Sequence, residues 1–242
     1  MLAVAARVLT QLRHDRRFLI LALALPFVTV YMLYLFFEGV DAPIFDPEKF
    51  VMPVGAFMVH FITYALCAIA LVRERTAETL GRMFVNGYRQ VEIIGGYVLA
   101  YTLLATVQSL IVLVGLSLLF KLDYPTGTFI ALYLTIWLLA IISIAMGILV
   151  SNFARNEGQV FPFIPLVIFL SVLFSGMILP TDKLPEWSRP ASLITPMYYA
   201  NIVVQALIKP DGALGDTWGL AGLILYGIAI FSLATFTLRE LE

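Results

Sequence analysis

The sequence predicts an all-α integral membrane protein with six transmembrane helices, an N-terminal amphipathic interfacial helix, and short helices between spans five and six. Three observations lead there. Of the 242 residues, 61% are hydrophobic and only 13% are charged, whereas a soluble domain carries roughly 25% charged residues. Seven runs, 18–37, 50–72, 93–120, 124–154, 158–181, 190–208 and 217–238, contain no Asp, Glu, Lys or Arg. About 20 apolar helical residues cross a hydrocarbon core about 30 Å thick, and all but one of these runs suit such a crossing. The composition excludes a soluble enzyme and a disordered chain, and a net charge of -1 offers nucleic acid no basic footprint.

Taken in order, residues 1–17 place Leu2, Ala5, Leu9 and Leu12 on one helical face, with Arg7, Gln11 and His14 elsewhere. That pattern fits a helix lying on the membrane surface, with Arg13, Arg16 and Arg17 near anionic headgroups; a plain basic flank to the first span is the alternative. The absence of a small-residue cleavage site argues against a signal peptide. Spans follow at about 18–37, 50–72, 93–120, 128–150, 159–179 and 217–238. Pro26 is expected to kink span one, and Pro162 and Pro165 fall in the first turns of span five, where a missing N–H costs least. Ser143, Gly147 and Ser151 form a small-residue stripe on span four, suited to close packing within the chain. Trp187 and Trp218 fit an interfacial belt.

Run 190–208 is the exception, because it carries Pro190, Ser192, Thr195, Pro196, Asn201 and Gln205. Unsatisfied polar groups cost several kcal/mol in lipid, so this run reads as short helices at the interface. With six spans, Arg7, Arg13, Arg16, Arg17, Arg73, Arg75, Arg82, Arg89, Arg155 and Arg239 share one side. Lys49, Lys121, Lys183, Arg189 and Lys209 share the other. The asymmetry puts both termini in the cytoplasm.

The spans hold no carboxylate or ammonium group, which disfavours an ion-coupled carrier. His60 is the one ionisable side chain of that kind within them, and it reads either as a helix-packing hydrogen bonder or as a solute contact. The single cysteine, Cys67, allows no intrachain disulfide, and His14 and His60 do not make a metal cluster. No lysine follows a glycine, so the chain has no P-loop and no ATP site of that kind; it is not expected to be an enzyme.

The segment after span two runs from Arg73, Glu74 and Arg75 into a helix expected at about 76–86. Leu80, Met83 and Phe84 group at i, i+3 and i+4, and Asn86 with Gly87 ends it. Such an apolar knob suits a groove on a partner protein, or else lipid. Here the sequence resembles the membrane subunits of type-two ABC exporters, the drug and polysaccharide exporter permeases. Arg73, Glu74, Thr79, Leu80 and Arg82 match that family's coupling helix, with Gly87 where many members have proline. Further matches follow in the family's order: Ser151 to Gln159, then Ser175-Gly176-Met177-Ile178-Leu179-Pro180, Leu184-Pro185-Glu186-Trp187, and Thr195-Pro196-Met197-Tyr198-Tyr199-Ala200. An arginine that often follows the last motif is absent, Ile208 and Lys209 standing there instead.

The resemblance implies a permease subunit of an ATP-driven exporter in the inner membrane of a bacterium or archaeon. Two ATPase subunits would bind ATP and Mg, and a second permease copy would complete a homodimer. It implies short outer helices at about 184–208 that re-enter the membrane, and ATPase coupling through Arg73, Glu74, Arg75, Thr79, Leu80, Arg82, Met83 and Phe84. The family's pathway runs along the dimer seam on spans one, two and five. Aromatic and apolar residues on those spans that suit a hydrophobic or amphiphilic drug-like or lipid-like substrate are Phe27, Tyr31, Tyr34, Phe57, His60, Phe61, Tyr64, Phe169 and Val172. Two rival readings are an ion-coupled secondary carrier or channel, and a membrane scaffold that transports nothing.

Overall fold

The computed structural model describes residues 1–39, 47–154, 156–209 and 217–238. The orientation count rested in part on Arg155 and Arg239, which lie outside the described residues. The described chain is helical: α1 (Leu2–His14), α2 (Arg16–Gly39), α3 (Pro47–Thr76), α4 (Thr79–Val85), α5 (Gln90–Leu119), α6 (Thr126–Phe153), α7 (Glu157–Val160), α8 (Phe163–Phe174), α9 (Pro196–Leu207) and α10 (Thr217–Thr237). Two 3₁₀ segments, Thr181–Lys183 and Arg189–Ile194, precede α9. Six stretches are long and apolar enough to cross a membrane: α2, α3, α5, α6, α10, and α7 with α8 taken together as Glu157–Phe174. This is a multi-pass membrane protein, as its charge-free runs predict.

Helices α3, α5 and α6 form the centre, with α1 and α2 against α5, and α9 and α10 against α6. The α3 and α6 seam is tight because Gly147 has no side chain. A Cβ there would come within 2.8 Å of the Tyr64 carbonyl and 2.9 Å of the Ala68 nitrogen. Ser143 and Ser151 are fully buried beside it, so the small-residue stripe packs within the chain.

Two prolines inside spans remove the N–H that would reach four residues back, and glutamines from other helices supply replacements. Pro26 frees the Ala22 carbonyl, which accepts from Gln108 Nε2 of α5 at 2.8 Å. Pro53 likewise frees the Lys49 carbonyl, which accepts from Gln205 Nε2 of α9 at 3.3 Å. The polar residue Gln205, which argued against a span in its own run, thus completes the backbone of another. In the fifth crossing regular helix breaks at Phe161 and Pro162, between α7 and α8, while Pro165 sits in the first turn of α8.

Two expectations change in detail. Helix α1 buries Val4, Ala5, Val8 and Leu12, while Leu2 is 75% exposed. Val4 and Leu2 are both apolar, and contact with α5 selects the face spaced by four. Helix α3 runs on through Thr76, and α4 starts only at Thr79 because Glu78 takes a left-handed conformation, φ 57. At twelve residues α9 is too short to cross a membrane, and it packs against α3, α6 and α10.

Candidate functional site

Charge gathers where α3 leaves the bundle. Successive helical side chains point about 100° apart, so Arg73, Glu74 and Arg75 reach three different neighbours. Arg73 Nε donates to Glu157 Oε1 of α7 at 2.8 Å. Glu74 is 6% exposed and accepts from Arg7 Nη2 of α1 at 3.0 Å. Arg75 donates to the Asn152 carbonyl at 3.0 Å and to its Oδ1 at 2.9 Å, on α6. Asn152 Nδ2 then donates to the Ala234 carbonyl and Thr237 Oγ1 of α10, both at 2.9 Å. Burial works against the Arg7 charge, but its hydrogen bonds to Glu74 and Tyr97 outweigh that and hold its pKa above the ordinary value.

Helix α4 hangs from this hub. Leu80 and Met83 are 3% and 6% exposed and turn into the chain's own core; Phe84 is half-buried and packs against it. They hold α4 in place, which corrects the expectation of an apolar knob facing outward. The outward edge is Arg82, Val85 and Asn86, with Val85 90% exposed, and Thr79 is half-buried at the first turn. Gly87, at φ 82, closes α4: its N–H meets the Phe84 carbonyl and the Tyr88 N–H meets that of Met83. This is a glycine-dependent helix end that proline cannot make, and it accounts for the residue found here.

The pathway candidates divide. Phe27 and Tyr31 on α2 and Phe169 on α8 are exposed. Tyr34 and Val172 are half-buried, as are Phe57 and Phe61, whose rings stack at 6.5 Å. His60 and Tyr64 lie inside the bundle. Tyr64 donates to the Phe163 carbonyl of α8 at 3.3 Å. His60 Nδ1 lies 2.7 Å from Ser143 Oγ of α6, and Nε2 lies 3.1 Å from Ser171 Oγ of α8. The Ser143 hydroxyl is committed to the Leu139 carbonyl at 2.6 Å. Ser143 must therefore accept from Nδ1–H, and Nε2 accepts from the Ser171 hydroxyl. Ser171 in turn accepts from Thr195 at 3.3 Å, joining the segment before α9 to α8, α3 and α6.

Sequence reasoning named neither Arg7, Asn152 and Glu157 as partners of the hub nor the two serines as partners of His60. The available signal was a single polar side chain in or beside an otherwise apolar run, as at Ser171. Among the described residues no three His, Cys, Asp or Glu side chains gather to hold a metal.

The fold and this charged end define a polytopic helical membrane protein with a short helix projecting from the base of its second span. The ABC-2 type transporter family model matches residues 1–208, and the chain belongs to that family. It is 23% identical over 177 residues to the probable multidrug ABC transporter permease YbhR of Escherichia coli strain K12, covering 73% of this chain and 48% of that protein. It is 22% identical over 178 residues to the linearmycin resistance permease protein LnrN of Bacillus subtilis strain 168, covering 73% and 46%. With ABC transporter G family member 20 of Dictyostelium discoideum it shares 28% over 190 residues, covering 76% and 26%. The chain thus spans about half the length, or less, of the curated relatives it matches.

Proposed function

We propose that this chain is the permease subunit of an ATP-driven exporter of a hydrophobic or amphiphilic solute, worked through α4 by separate ATPase subunits. The observation that carries the reading is the mounting of α4. Its inner side is fixed by Leu80 and Met83, its outer edge of Arg82, Val85 and Asn86 is free for a partner, and its stem is tied to α1, α6 and α7. A push on that edge is passed to the spans rather than absorbed by a loose loop.

ATP and Mg belong to the partner ATPase. ATP must bind the closed ATPase arrangement more tightly, since only differential affinity shifts a conformational equilibrium. Family membership and the relatives named as multidrug and linearmycin resistance permeases support export of an apolar or amphiphilic cargo. Two copies of this chain meet through α2 and α8, which with α7 are the crossings that bury the least of themselves. Phe27, Tyr31 and Phe169 then border the seam, with Phe57 and Phe61 behind them, as surfaces for flat apolar solutes. Tyr34 and Val172 flank the same faces. Both termini and α4 face the cytoplasm across the inner membrane of a bacterium or archaeon, following the arginine asymmetry.

The test is co-expression with the ATPase of a neighbouring gene. Combining Arg82→Glu with Val85→Asp is expected to abolish co-purification while the chain remains folded. Retention of the complex with undiminished ATP turnover would overturn the assignment of α4.

A further inference from the structure

A cavity of about 220 Å³ lies between α6, α8 and α10, apart from the hub and from the aromatic faces of α2 and α3. Leu149, Val167, Leu170, Ile194 and Ile230 supply much of its wall. Three polar side chains reach it, and each is already engaged. Tyr226 donates to the Ile194 carbonyl at 2.6 Å. Thr195 donates to Ser171, whose own hydroxyl is held by His60 Nε2. An occupant would find no spare donor, and an apolar cavity of about 150 Å³ already stays dry and admits benzene.

We infer that this cavity binds one hydrocarbon tail of a membrane lipid. Its location decides the occupant. The helices around it cross the membrane, and Leu225 and Ile228 on α10, away from the proposed seam, are exposed. Ala191, Ile194 and Thr195, from the segment before α9, and Pro196 at its start contribute to its wall. A helix of a second copy is about 10 Å wide, too bulky for the space. Apolar walls disfavour water. A flexible tail suits the apolar lining and the absence of free hydrogen-bonding groups, and its contact with Ile194 and Thr195 places it against the segment that His60 secures through Ser171. The inference stands apart from the transport reading, since it needs neither ATPase nor solute.

The experiment uses the full chain in nanodiscs of phosphatidylcholine with a diazirine near the end of one acyl chain. After illumination, mass spectrometry should find adducts on Val167, Leu170 and Ile230 several-fold above those on the freely exposed Leu225 and Phe236. Val167→Trp, which fills the space, should remove the cavity adducts and leave the Leu225 and Phe236 adducts unchanged. Cavity labelling no stronger than at Leu225, or labelling indifferent to the substitution, would overturn the proposal. Should Val167→Trp fail to fold, Leu170→Phe in native mass spectrometry replaces it. The wild-type chain is expected to retain one phospholipid through detergent exchange and the variant to lose it; equal retention contradicts the assignment.

Discussion

Helix α3 is fastened to α6 twice, and the two fastenings differ in chemistry. In mid-membrane His60 meets Ser143 through neutral groups. At the α4 end Arg75 meets Asn152 through a charge, flanked by Arg73 with Glu157 and Glu74 with Arg7. The membrane explains the division: an ion far from water or headgroups carries a desolvation cost that neutral hydrogen bonds avoid. Between the two, Gly147 lets the backbones touch. A neutral tie, a bare backbone contact and a charged tie along one seam make α3 and α6 a single rod, and α4 is mounted at its end.

Three substitutions break this seam at different points, and a fourth breaks the neighbouring contact of α3 with α7. Gly147→Val forces a side chain against the α3 backbone between both ties. Overpacking of this kind costs about 1–3 kcal/mol or more, so thermal unfolding in detergent should show the largest loss of the series. An unchanged melting temperature would mean the seam is loose. Asn152→Leu leaves the Arg75 guanidinium short of an acceptor and severs two bonds to α10, a loss of about 2 kcal/mol. Asn152→Asp should restore part of that loss, because it keeps the acceptor. His60→Leu removes two interhelical hydrogen bonds of about 0.6 kcal/mol each. Its effect should be smaller than that of Asn152→Leu, and the reverse order would contradict the contrast drawn between the ties. Arg73→Gln should matter least, at under about 1 kcal/mol, since the Arg73 and Glu157 side chains are 56% and 41% exposed. The difference it makes should vanish in high salt.

The six long apolar helices were legible because a hydrocarbon core filters sequence strongly. Run 18–37 anticipates α2 at Arg16–Gly39, and run 93–120 anticipates α5 at Gln90–Leu119. The direction in which short elements face was not legible. Leu80, Met83 and Phe84 group together by spacing, but spacing does not say whether the group turns toward a partner or toward its own core. Nothing in the sequence marks Glu78 as the left-handed residue that separates α3 from α4. The pairing of His60 with two serines from other helices is equally silent, because each serine alone resembles an ordinary small packing residue. Gly87 was readable as a helix end, and its fit became clear only with the Phe84 and Met83 carbonyls in view.

The most direct trial is solute movement in sealed vesicles holding the chain with or without the proposed ATPase partner, using an amphiphilic dye as cargo. Dye should move only when nucleotide hydrolase and ATP are both present, and a bare ion gradient should do nothing. Movement powered by that gradient, in vesicles free of any hydrolase, would contradict the account.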